Sequence, residues 1–125
     1  MSYIYCNPNP MRQSLTDCTV RAISIIQNKE WHDIYDDLCS YGATLGDMPS
    51  TNHVWGTYLI DNGFMRYTIP NTCPACYTVR DFTYDHPKGE YILATGHHVI
   101  AVINGNYYDT SDSGYETPIY YYERR

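Results

Sequence analysis

One stretch, HHVIAVINGNYYD at residues 97–109, restricts the fold more than any other. Asn-Gly favours the left-handed backbone of a two-residue type I′ turn, and apolar runs flank it on both sides, so the segment predicts a β-hairpin. With Asn104-Gly105 as the turn, Ile103 faces Asn106, Ile100 faces Asp109, Ser111 faces His98 and Asp112 faces His97. Successive side chains on a strand point to opposite faces, so His97 and His98 cannot serve one site together. Each histidine has its own aspartate: His97 is directly opposed to Asp112, and His98 is a diagonal neighbour of Asp109. The face that lies toward the rest of the site decides between the two pairs.

The chain ahead of the hairpin has a different period. After the turn-like NPNP of residues 7–10, Thr16-Asp17 reads as a capping pair, and Val20, Ala22, Ile23 and Ile26 recur at helical spacing from about Cys18. Trp31, Ile34, Tyr35 and Leu38 mark a second amphipathic helix over residues 30–41, followed by a Gly-, Asp- and Pro-containing loop to Pro49. Ser50 or Thr51 caps a third helix carrying Val54, Trp55, Tyr58 and Leu59, with Gly63 as its stop. FMRYTIP reads as a short strand, Thr78 caps a short helix in VRDFTYDH, and EYILATG, HHVIAVI, NYYDTSDS and PIYYYER read as strands. Helices first and strands last predict one α+β domain, residues 1–125, with an antiparallel sheet.

Composition narrows the function. The 125 residues are 43 % hydrophobic, enough for a core, and 14 acidic against 8 basic side chains give a net charge of −6. That balance argues against a nucleic-acid backbone as partner and mildly against anionic cell wall. No run approaches the roughly 18 apolar residues of a membrane span, and the start, MSYIYCNPNPM, has no signal-peptide pattern, so a soluble cytoplasmic protein without membrane attachment or an inhibitory pro-segment is expected. The 15 tyrosines against 2 phenylalanines suit half-buried strands whose hydroxyls reach water.

Five cysteines, an odd number, with no signal peptide point to reduced thiols and away from a disulfide framework. A nucleophilic cysteine needs a depressed pKa, a base within hydrogen-bond reach and a group that orients the base. Cys18 stands at a helix start, where the positive end of the dipole favours thiolate. Taken alone, a cysteine there is more often a small buried core residue. A distant histidine on one strand, with an aspartate on the next, reverses that weighting, because Cys on a helix followed by His and Asp on a sheet is the order of papain-like thiol enzymes.

The motifs NPNP (7–10), DCTVRAI (17–23), VWGTYLIDNGF (54–64), CPACYTVRDF (73–82) and ATGHHVIAVINGNYYDTSDSG (94–114) cover nearly the whole chain. Together they resemble a family of small papain-like cysteine peptidase domains common in phages and prophages of gram-positive bacteria. The resemblance implies a papain-like fold, with the nucleophile at a helix start packed on a C-terminal sheet, and a hydrolase using Cys18, His98 and Asp109 without a cofactor. It selects His98 because the family's single histidine immediately precedes the apolar run; papain's own spacing would select His97 instead. The oxyanion would be held by the Cys18 backbone N–H and one side-chain donor. Papain-like enzymes often use a glutamine six residues before the cysteine; here Gln13 stands five before and Arg12 takes the sixth place, so Asn7 or Asn9 is the alternative. Asp17 is assigned as a cap, not as a catalytic acid.

Cys73-Pro-Ala-Cys76 could be half of a zinc site or a redox pair. With no second CxxC, and with Cys6, Cys39, His53 and His86 scattered through the chain, a tight turn over two reduced thiols, able to form a disulfide on oxidation, is the expectation, and no metal is assigned. The leading reading is a peptidase or isopeptidase acting on a peptide or protein substrate. Acyl transfer by the same triad, and a papain-like scaffold used only for binding, are the alternatives.

Overall fold

The structure is a computed structural model that describes residues 2–11 and 16–125. In chain order the described elements are β1 (Tyr3–Tyr5), α1 (Cys18–Gln27), α2 (Trp31–Leu45), α3 (Asn52–Asp61), β2 (Phe64–Thr68), α4 (Val79–Asp85), β3 (Glu90–Ala94), β4 (Val99–Ile103), β5 (Asn106–Asp109) and β6 (Tyr120–Arg124). The strands form one sheet in the order β1-β5-β4-β3-β6-β2. The α+β class and the late strands stand as expected. The sheet itself is mixed, because Tyr3–Tyr5 pairs parallel to β5 with Tyr3 opposite Tyr107 and Tyr5 opposite Asp109. A three-residue strand is too short to show alternation, which is why the sequence did not signal it.

The hairpin register is the one the turn dictates. Ile103 pairs with Asn106, Val102 with Tyr107 and Ala101 with Tyr108, and Asn104 and Gly105 both have positive φ, 50° and 79°. β5 ends at Asp109, short of the strand expected through Ser113, because aspartate side chains turn the chain there: Asp109 accepts from Thr110 N–H and Asp112 from Gly114 N–H.

The sheet is buried on both faces. On one, α1, α2 and α3 contribute Ala22, Ile23, Ile34, Leu38, Trp55 and Leu59, packed on Ile92, Ala94, Val99, Ala101 and Tyr122. On the other, Val79 and Phe82 of α4 pack on Tyr91, Leu93, Ile100, Val102 and Tyr107. α4 begins with the expected Thr78 cap, completed as a capping box by Asp81. α2 runs past the expected residue 41 to Leu45 because Gly42 packs closely under the following loop; a Cβ there would meet Asp47 O at 2.6 Å. The helix stops instead at Gly46, whose φ of 74° supplies the left-handed cap. No helix among the described residues is long and apolar enough to cross a membrane.

The CxxC reading is corrected: the Cys73 and Cys76 sulfurs are bonded to each other, while Cys6, Cys18 and Cys39 are free thiols. Only two residues separate the pair, which keeps the two sulfurs within reach of each other.

Candidate active site

α1 starts at Cys18, so that residue's N–H has no intrahelical acceptor and its side chain stands at the positive end of the helix. The expected side-chain cap is absent: Asp17 makes no capping hydrogen bond. Its carboxylate accepts instead from Asn9 Nδ2 at 2.9 Å and from Trp31 Nε1 at 3.1 Å, and it pairs with Arg21 one turn along α1. A capping aspartate would spend its oxygens on the first turn, whereas this one ties the NPNP segment and α2 to the nucleophile's helix.

Cys18 lies across from the start of β4, half-buried, and lines one cleft with His98 and Val99. The His98 ring is held by Asp109, with Nε2 2.6 Å from Oδ2. One ring nitrogen is thus committed to the carboxylate, leaving Nδ1 for the thiol. Asp109 is itself 4 % exposed and fully engaged: Ser113 Oγ donates to Oδ2 at 2.8 Å, Thr110 N–H donates to Oδ1 at 2.7 Å, and Arg21 Nη2 lies 3.9 Å from Oδ1.

The electrostatics follow from these contacts. Burial alone raises the Cys18 pKa, but the His98 hydrogen bond, the Val99 N–H and the positive charges of His98 and Arg21 outweigh it, and the thiol titrates below its ordinary value. His98 is pushed up to about 10 by its hydrogen bond to Asp109, then by that to Cys18, against the opposing effect of burial. Burial of Asp109 raises its pKa, but the hydrogen bonds from His98 and Ser113 overcome this and hold the carboxyl below its usual range. Both shifts act toward a thiolate beside an imidazolium.

The two histidines differ for a reason that strand alternation misses. Val99 and Ala101 face α1, and counting back along the strand would put His97 on that face and His98 on the opposite one. β4 begins only at Val99, however, and Thr95–His98 form the connection from β3, with Thr95 N–H bonded to His98 O at 2.8 Å and His97 N–H to Thr95 Oγ1 at 3.3 Å. His98 and Asp109 therefore meet over the ends of two neighbouring strands, not on one face of the sheet. His97 is exposed at the rim of the cleft. Asp112, its expected partner, accepts from Tyr107 Oη at 2.5 Å and pairs with Arg80 on the far side of the sheet.

Gln13 lies outside the described residues. Asn9 is occupied elsewhere, its Nδ2 on Asp17 and its Oδ1 accepting from Met11 N–H at 2.9 Å, while Asn7 Oδ1 accepts from Asn9 N–H at 3.1 Å; both asparagines build the turn instead of facing the thiol. Two residues that the sequence reading passed over belong to the site. Arg21 is a charged side chain within the apolar run VRAISII, 6 % exposed, bridging Asp17 and Asp109. Ser113 is 1 % exposed and holds the Asp109 carboxylate. An arginine inside a helix's apolar stripe was the available signal for the first.

A cleft of about 410 Å³ opens over Cys18 and His98, walled by Trp55 and Asn52 of α3, Thr95 and Gly96 of the β3–β4 connection, and Tyr120. Among the described residues no cluster of His, Cys, Asp and Glu gathers that could hold a metal ion. Comparison with protein-family models, with curated proteins and with solved structures finds no match to this chain.

Proposed function

We propose that this protein is a papain-like cysteine hydrolase that cleaves a peptide or isopeptide amide through Cys18, His98 and Asp109. The observation that carries the reading is the hydrogen bond from His98 to the buried Asp109, with His98 lining one cleft together with Cys18 at its helix start. Such a set supplies an activated nucleophile, a proton donor and an orienting carboxylate in one place. The resemblance of the DCTVRAI and TGHHVIAV segments to phage and prophage peptidases supports the same assignment.

In this mechanism the Cys18 thiolate attacks the scissile carbonyl carbon, and a C–S bond forms as the carbonyl π pair moves to oxygen. The oxyanion is met by the Cys18 N–H, which the helix leaves without an acceptor. His98 gives its proton to the leaving nitrogen, the C–N bond breaks and a thioester remains. Neutral His98 then takes a proton from water, whose oxygen bonds to the thioester carbon; the C–S bond breaks, the acid leaves, and Cys18 is released as thiolate beside the imidazolium. Asp109 stays ionised throughout, fixing the ring and balancing its charge.

An aspartate as the third member also suits acyl transfer, in which an amine replaces water in the second half. Incubation of the protein with peptide substrates, with and without an added amine, separates the two. Hydrolysis without amine supports the peptidase; product only with amine supports transfer; no turnover beside an unreactive Cys18 would leave a binding scaffold.

A further inference from the structure

The hydrolase chemistry makes no use of the Cys73–Cys76 disulfide, which stands just ahead of Thr78, the cap of α4. A cross-link that closes so short a loop removes little entropy from the unfolded chain, so it is a weak staple for the fold. Cys73 is exposed and Cys76 half-buried, which opens one sulfur to attack by a thiolate in solution. Exposed disulfides are the labile ones, whereas structural disulfides resist reduction.

Hydrogen bonds connect this turn to Asp109. Thr72 Oγ1 accepts from Tyr77 N–H at 2.9 Å and donates to Ala75 O at 2.8 Å, so one hydroxyl closes the turn beside the cross-link. The first two N–H groups of α4 donate outside the helix, Val79 to Glu116 O at 2.8 Å and Arg80 to Gly114 O at 3.0 Å. Glu116 N–H in turn donates to Ser113 O at 3.0 Å, and the buried Ser113 Oγ donates to Asp109 Oδ2 at 2.8 Å. The start of α4 thus holds the segment 113–116, and that segment holds the carboxylate.

We propose that Cys73–Cys76 is a reversible redox site, opened by a dithiol reductant, whose oxidised form keeps Asp109 in place beside His98. Its effect on the site rests on the reading of Cys18, His98 and Asp109 as a hydrolase triad; the redox chemistry does not. In the reductive step a thiolate of the dithiol attacks Cys73 Sγ, the S–S bond breaks, and Cys76 leaves as a thiolate that takes up a proton. The second sulfur of the reductant then attacks its partner sulfur in the mixed disulfide and releases Cys73, which is protonated in turn. Two electrons and two protons pass to the protein, and the dithiol ends as its own disulfide. Without the cross-link the first turn of α4 is less firmly anchored, and Ser113 holds Asp109 less tightly.

The test uses the full chain with Cys6 and Cys39 replaced by serine, oxidised or treated with dithiothreitol that is then removed. Alkylation of the intact protein counts opened thiols, iodoacetamide with peptide mass spectrometry gives the rate at Cys18 alone, and far-ultraviolet dichroism reports the fold. The proposal expects dithiothreitol to open both sulfurs with the dichroism unchanged. The Cys18 rate at neutral pH should then fall by about fivefold or more, the lower end of coupling between linked sites, and recover with oxidised glutathione. The Cys73→Ser, Cys76→Ser double variant should sit at the reduced value with or without dithiothreitol. In Ser113→Ala, which cuts the connection, reduction should change the rate by less than about twofold. A disulfide that opens only when the protein is unfolded in urea would overturn the redox site. A fast Cys18 rate that is equal in both states, or a fall that Ser113→Ala retains, would overturn its connection to Asp109 and leave the nucleophile standing. A Cys18 no faster than free cysteine in both states would instead remove the hydrolase reading and the connection with it, while the thiol count still decides the redox site.

Discussion

His98 Nε2 and Asp109 Oδ2 stand 2.6 Å apart where β4 begins and β5 ends, and the Asn104-Gly105 turn between those strands fixes their register. The contact separates the two adjacent histidines. His98→Ala should slow Cys18 alkylation at neutral pH by about 10²-fold, the scale of losing a positioned acid–base group, whereas His97→Ala should stay within about twofold of wild type. Labelling by iodoacetamide followed by mass spectrometry of the intact protein measures both.

Asp109→Asn keeps the shape of the side chain and removes its charge, so the ring loses the group that favours imidazolium. Turnover should fall by about 10²- to 10⁴-fold with little change in KM. Ser113→Ala removes one of the donors to the same carboxylate and should cost about 1–3 kcal/mol of stability in urea unfolding, with a smaller loss of rate.

Arg21 is buried between two carboxylates, Asp17 and Asp109. Arg21→Met should destabilise the fold by about 3–5 kcal/mol, because it leaves negative charge uncompensated in the interior. Adding Asp17→Asn should recover part of that loss, a coupling that a double-mutant cycle in urea reads directly.

The shifts also set a pH window for stability. His98 is raised from 6.5 to about 10, so its contribution is complete below about pH 6.5 and is lost as pH climbs through about 10. Asp109 is lowered from 3.8, so its contribution is present above that value and is lost as pH falls through the depressed one. The stability difference between wild type and His98→Gln should therefore fall as pH climbs through about 10. Urea titrations at stepped pH check the shape.

How much of this was legible in the sequence depended on whether local chemistry alone decides the outcome. The Asn-Gly turn fixes its register by backbone preference, so the pairing of Ile103 with Asn106 could be counted from the sequence. The helix start at Cys18 was likewise visible in the period of the residues that follow. Features decided by tertiary contacts were not. Asp17 has the look of a cap, yet its oxygens go to Asn9, Trp31 and Arg21, two of them distant in sequence or on another element. Gly42 reads as a helix end until the loop that packs on it is known. Alternation along β4 would have chosen His97, and it fails because the strand stops one residue after His98, at a boundary that only the β3–β4 connection sets.

The central claim is that Cys18 is held as a thiolate by His98. Its most direct test is the rate of Cys18 alkylation by iodoacetamide from pH 3 to 11, with Cys6 and Cys39 replaced by serine so that one free thiol reports. The account predicts a midpoint below the ordinary thiol value of about 8.5 that moves back toward that value in His98→Ala. A midpoint at or above 8.5 in the wild-type site, unchanged by His98→Ala, would contradict it.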